Sequence, residues 1–258
     1  MLLPILCYHH VGVPATGNGH RHLWLSRERF ATQMAYLAEQ GYSCLNLRDA
    51  LASLNGGHEI PLRSAVVTFD DGYEDFRREA YPVLRSYGFR ATVFLVAGAV
   101  GGVSRWAGNP EFPLMGWKDI RELSPEGIEF GSHSLTHPRL TRVPLDAAER
   151  ELRESRQILE DELGTAVHSF SYPYGAWDLN VEKLVREADY QFACSMLQGN
   201  LHAPRARYHL KRVAVDELTP MAQFRRMLSP VYDVTARLQR WSRPARRLSR
   251  WLRRVTFS

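Results

Sequence analysis

Short apolar, β-rich runs recur along the chain with helical patterns between them, and this alternation constrains the fold more than any other feature. Strands are predicted at Pro4–Tyr8, Ala65–Phe69, Ala91–Val96, Ile128–Gly131, His168–Tyr172, Phe192–Ser195 and His209–Val215. Helices are predicted at Ser26–Gln40, Asp75–Tyr87, Trp117–Leu123, Pro144–Leu163 and Asp178–Ala188. The clearest is Asp146–Leu163, where Leu152, Ile158, Leu159 and Leu163 form an apolar stripe among charged residues. Seven strands with mostly helical connections imply an α/β protein, a distorted (β/α) barrel of about seven strands. No repeat of 20–50 residues points to a solenoid. No strand runs into a glycine-rich phosphate loop, which argues against a nucleotide-binding fold. Gly98–Gly102 reads as a loop near the site.

Length and composition narrow the class. The chain has 258 residues, 45% hydrophobic and 24% charged, values of an ordinary globular protein with one large domain. Cys7, Cys44 and Cys194 are odd in number and far apart, so they read as buried free thiols rather than a zinc ribbon or redox pair. No secretory leader and no apolar run of membrane-spanning length is legible, so the expected location is cytoplasmic. From Val231 onward there are eight arginines against one acid, Asp233. The formal charge of +5 therefore belongs to this segment. Val231, Val234, Leu238 and Trp241, then Leu248, Trp251, Leu252 and Val255 after Pro244, have helical spacing. The domain division is 1–230 for the body and 231–258 for a basic amphipathic helical extension. That extension suits peripheral contact with an anionic membrane surface, or packing on the barrel; nucleic acid is not an expected partner.

Two strand ends carry the chemistry. Val66-Val67-Thr68-Phe69-Asp70-Asp71-Gly72 closes an apolar strand with two acids and a turn glycine. Adjacent strand side chains point opposite ways, so the strand must break there. Capping of the next helix is the alternative reading of this pair. In Ile128-Glu129-Phe130-Gly131-Ser132-His133-Ser134-Leu135-Thr136-His137-Pro138, two histidines four apart follow another strand. Turning helically, they would share a face and reach one ion. Two imidazoles and one carboxylate leave coordination positions open, the catalytic rather than the structural pattern. The second acid is then free to act as a base in metal-assisted hydrolysis of an amide or ester.

The Thr-Phe-Asp-Asp-Gly and His-Ser-x-x-His-Pro segments resemble two motifs of the polysaccharide deacetylases, carbohydrate esterase family 4 with its NodB-homology domain. The resemblance covers roughly residues 1–215 and also implies a distorted barrel. It implies Asp70 as catalytic base, and Asp71, His133 and His137 as ligands of one divalent ion, zinc first, with cobalt, nickel or iron as alternatives. Ser171-Tyr172-Pro173-Tyr174-Gly175 stands at a third motif, where the backbone N–H of Tyr174 would help hold the oxyanion. Many members have an arginine where this chain has Ser171. Arg212 is the candidate replacement, against the alternative of a surface or barrel-end arginine. Leu201-His202 and Tyr208-His209 are poor matches to the late histidine that serves as general acid. Leu6-Cys7-Tyr8-His9-His10-Val11 instead resembles the opening of the poly-N-acetylglucosamine deacetylases, which makes His9, ahead of His10, the expected acid. Trp117, Tyr172 and Pro173 complete the candidate site as sugar contacts. The implied activity is hydrolysis of N-acetyl groups on an amino-sugar glycan or a lipid-linked precursor. A deformylase or esterase on another acylated sugar, and a degenerate glycan-binding protein, are the alternatives.

Overall fold

A computed structural model describes residues 1–13, 21–52, 60–106, 111–203 and 206–233. In chain order the strands are β1 (Ile5–Tyr8), β2 (His10–Val11), β3 (Trp24–Leu25), β4 (Ser43–Leu45), β5 (Ser64–Phe69), β6 (Ala91–Leu95), β7 (Ile128–Ser132), β8 (Ser169–Ser171), β9 (Phe192–Gln198) and β10 (Leu210–Ala214). The helices are α1 (Arg27–Glu39), α2 (Leu47–Ala52), α3 (Tyr81–Ser86), α4 (Trp117–Leu123), α5 (Leu145–Leu163), α6 (Leu179–Glu187) and α7 (Met221–Met227).

All seven expected strands form, and they close into a parallel barrel because β1 pairs with β10 on one edge and β5 on the other. The distortion has a local cause. Val66 pairs with Ile5 and Leu45, while Thr68 pairs with Cys7 and Thr92. The short β4 thus occupies the β6 edge of β5 over its first half, and β6 takes over for the second half. Alternation along each strand divides the core. Ile5, Val66, Phe94, Cys194 and Leu210 fill the barrel interior, whereas Leu6, Tyr8, Val67, Phe69 and Val213 pack outward under the helices.

Helix ends follow local chemistry. Asp178 caps α6 by accepting the Val181 N–H at 2.9 Å, and Gly164 ends α5 with φ 65°. Ser26 precedes α1 without a side-chain cap. The helix expected at Asp75–Tyr87 divides into a π-helical turn, Phe76–Ala80, and α3. The carboxylate of Asp75 is drawn away to His10 and the Val11 N–H. β4, α2 and α7, of three, six and seven residues, were not predicted from the sequence.

At the C-terminal side the chain stays tied to the barrel as far as Asp233, which accepts from Lys211 Nζ and the Asn200 and Leu201 N–H groups. The helices expected in the arginine-rich extension lie outside the described residues. Among the described residues, no helix is long and apolar enough to cross a membrane.

Candidate active site

The site forms at the C-terminal ends of the barrel strands, where parallel α/β proteins build theirs. The inward parity of β5 runs through Val66 and Thr68 to Asp70. Asp71 then takes φ 75° and Gly72 φ 77°, so the chain turns sharply and the second carboxylate stays in the mouth. Glycine suits Gly72 because of its left-handed backbone; a Cβ there would also press on the tip of the Leu95 side chain, which would have to move.

His133 follows β7 with its N–H bonded to the Leu95 carbonyl at 2.7 Å. The helical turn expected between His133 and His137 does not form. Ser134 (φ 69°) and His137 (φ 65°) are left-handed, and this doubly reversed loop brings the imidazoles together. His133 Nδ1–H donates to the Ser171 carbonyl at 2.7 Å, leaving its Nε2 lone pair free. Asp71 Oδ1 lies 3.6 Å from His133 Nε2 and 3.3 Å from His137 Nε2. One ligand atom from each residue lies within 4.8 Å of the others. All three residues are buried, and Asp71 Oδ1 has no hydrogen-bond partner among the described residues. A buried, unsatisfied carboxylate oxygen is costly, and facing two imidazole nitrogens it fits a cation between them. Burial outweighs the pull of the nearby carboxylates and lowers His133 to about 4, keeping it neutral and able to donate its lone pair at neutral pH.

Asp70 is held apart from this triad. Arg212, at 0% exposure, donates Nη1–H to Asp70 Oδ1 and Nη2–H to Oδ2, each at 2.6 Å. The guanidinium also donates to Ser171 Oγ at 3.0 Å and the Ser195 carbonyl at 3.1 Å. Arg212 is therefore not a surface or barrel-end arginine; it fills the interior beside the small Ser171. Burial alone would raise Asp70, but the guanidinium outweighs it and holds the carboxyl well below its ordinary range. His9 continues the inward parity of Ile5 and Cys7, and its Nε2 lies 4.0 Å from Asp70 Oδ2. Its burial lowers its pKa despite both carboxylates. His10 points away, stacked between Trp24 and Tyr73, with Nδ1 2.5 Å from Asp75.

Over the triad lies a cleft of about 500 Å³ lined by Gly98, Val100, Trp106, Leu135, His137 and Tyr174, so the Gly98–Gly102 loop does border the site. Tyr174 has φ 59°, is 42% exposed, and sets its ring edge 4.7 Å from His137. Two expected sugar contacts are corrected. Tyr172 is wholly buried with its hydroxyl donating to the Tyr208 carbonyl at 2.8 Å, and Pro173 is buried beside it. The third, Trp117, is half-buried at the start of α4, one side against the main core, and does not line this cleft. The tryptophan at the triad is Trp106, whose ring stacks on His137 at 4.7 Å. Sequence spacing contained no signal for that choice, because Trp106 stands outside every motif. Cys7 Sγ, 3.7 Å from Asp70 Oδ2, was also missed, although strand parity from His9 points to it. All three cysteines are buried and free.

Fold and site together define a closed parallel (β/α) barrel with a two-histidine, one-carboxylate pocket at its mouth. The chain belongs to the polysaccharide deacetylase family, whose model matches residues 58–193. It is 27% identical over 213 residues to YxkH of Bacillus subtilis (strain 168), whose name also places it among polysaccharide deacetylases, covering 83% of this chain and 71% of that protein. It is 23% identical over 202 residues to the poly-beta-1,6-N-acetyl-D-glucosamine N-deacetylase of Staphylococcus aureus (strain MRSA252), covering 75% and 68%. The solved structure of IcaB from Ammonifex degensii superposes with a TM-score of 0.75 at 25% identity, covering 88% of this chain and 97% of that one.

Proposed function

We propose that this protein hydrolyses N-acetyl groups on an amino-sugar glycan, with a divalent cation held by Asp71, His133 and His137. The observation that carries this is the convergence of those three ligand atoms beside a separate carboxylate, Asp70, that is already ionised and aimed. A cation bound there polarises an amide carbonyl and makes water a better nucleophile at neutral pH. Zinc suits this donor set first; cobalt, nickel and iron accept it too.

The chain's own groups divide the proton work. Arg212 fixes both oxygens of Asp70, which orients the carboxylate to take the proton of the attacking water but makes it a weak base. Burial keeps His9 neutral at rest. At 4.0 Å from Asp70 Oδ2 its Nε2 is too far for a direct hydrogen bond, so the proton taken at Asp70 would reach His9 through one bridging water and pass on to the departing amine. Water supplies the hydroxyl that leaves in acetate, and the amine gains the proton. The left-handed turn at Tyr174 supports assigning its backbone N–H to the oxyanion. The name of the Staphylococcus aureus relative supports N-acetylglucosamine polymers as the substrate class to try first.

Acetate release from N-acetylglucosamine oligosaccharides and lipid-linked amino sugars, with and without chelator, tests the proposal. The expected result is release that chelator abolishes and added zinc restores. Asp70→Asn should lower kcat about 10²- to 10⁴-fold, measured on protein shown by circular dichroism to be folded, because it also leaves the buried Arg212 without its counter-charge. Chelator-resistant release, or full activity in Asp70→Asn, would refute the assignment.

A further inference from the structure

The two histidines of the triad are oriented by different devices. His133 uses the hydrogen bond from Nδ1 to the Ser171 carbonyl. His137 Nδ1 is buried and has no hydrogen-bond partner among the described residues. Its ring is gripped by other rings instead. The Trp106 indole stacks on it at 4.7 Å with 27° between the planes, and Tyr174 and His133 meet it edge-on at 4.7 and 4.8 Å.

Trp106 is itself fixed from behind. Its Nε1–H donates to the Tyr73 hydroxyl at 3.4 Å, and both residues pack with Val96 and Leu114 in a small cluster separate from the main core. Tyr73 stacks on His10 at 3.5 Å, and His10 stacks on Trp24 at 4.0 Å. A run of rings therefore leads from the N-terminal segment to the triad. Trp106 is only 8% exposed: it borders the cleft, but its ring lies against His137.

We infer that Trp106 is a positioning residue that sets the plane of His137 for the cation, doing by ring stacking what a hydrogen bond does for His133. This rests on the metal reading proposed above. An imidazole ligand needs its second nitrogen or its ring restrained, because a free χ2 rotation carries Nε2 off the metal. Stacking restrains the plane without a polar partner.

The test is the Zn²⁺ affinity of the full chain by chelator competition, with the visible spectrum of the Co²⁺ form and the unfolding midpoint of each metal-free variant. Trp106→Ala should weaken Zn²⁺ binding about 10- to 100-fold, the scale on which outer supports of metal ligands act. It should also shift the Co²⁺ bands. Trp106→Phe should restore most of the affinity and the spectrum. Trp106→Leu, which keeps apolar bulk without a ring, should behave as Ala does and carries the test if Ala does not fold. Phe112→Leu, in the same cluster and touching His10 and Tyr73, should leave affinity unchanged. Wild-type affinity in the ringless variants, or an equal loss in Phe112→Leu, overturns the assignment. A wild-type chain that binds no Zn²⁺ removes the metal reading itself.

Discussion

The two ends of the barrel each bury a carboxylate, and their surroundings differ. At the base, Glu129 is 8% exposed, and its oxygens accept from Thr92 Oγ1 (2.8 Å), Ser169 Oγ (2.7 Å) and the Arg48 N–H (2.9 Å). This network joins β6, β8 and the start of α2. At the mouth, Asp71 Oδ1 faces two imidazoles with no donor among the described residues, and Asp70 is paired by Arg212 with Cys7 and His9 close by. A hollow of about 580 Å³ at the base, lined by Arg48, Arg90 and Glu129 among others, slightly exceeds the 500 Å³ cleft at the mouth. Volume therefore does not locate the chemistry here. Satisfaction separates Asp71 from Glu129: Glu129 has its donors and ties the fold, whereas Asp71 Oδ1 is left open to a ligand; Asp70, paired by Arg212, is set apart by its place beside that open oxygen.

The sharpest way to break this contrast is to unpair each end. Arg212→Gln should lower kcat/KM by at least about 100-fold and destabilise the protein by about 3–5 kcal/mol, because Asp70 would remain buried without its counter-charge. Arg212→Lys should recover only part of either loss, since a single ammonium cannot hold both oxygens. Steady-state kinetics and urea unfolding read the two effects. Glu129→Gln should cost about 1–3 kcal/mol by turning an amide N–H toward donors, while kcat/KM stays within about twofold. A large kinetic loss in Glu129→Gln, or none in Arg212→Gln, would dissolve the distinction.

The smallest expected effect is on pH dependence. Burial lowers His133 at the mouth and His202, bonded to the Leu3 carbonyl beside the entry to β1, each to about 4. Unfolded histidines titrate near ~6.5, so between there and about 4 the unfolded chain binds more protons. Stability of the metal-free protein should therefore be full above that window and fall as pH drops through it. His202→Gln should flatten the slope of the unfolding midpoint against pH; an unchanged slope would exclude its contribution.

Legibility varied with the range of the interaction. The seven barrel strands were readable because each is a local apolar run with a local period. Asp70, Asp71, His133 and His137 were readable because their motifs are compact. His9 was named over His10 on the resemblance of the N-terminal segment, and the structure turns it inward with Ile5 and Cys7 while His10 points away. The conformation linking His133 to His137 was misread, because a four-residue spacing fits both a helical turn and a loop with two left-handed residues. Tyr172 and Pro173 stand within the third motif and were taken for contacts, although both are buried.

The amino-acid order alone determined the strand and helix periods and the acids and histidines at the strand ends. These are properties of dihedral preference and spacing within a few residues. Only the closed barrel decided that Arg212 would meet Asp70 across 142 positions, that β4 would share an edge of β5 with β6, and that Trp106 rather than Trp117 would lie against His137. Such pairings depend on which side chains fill a shared interior at close packing, and that is settled by every strand and loop together.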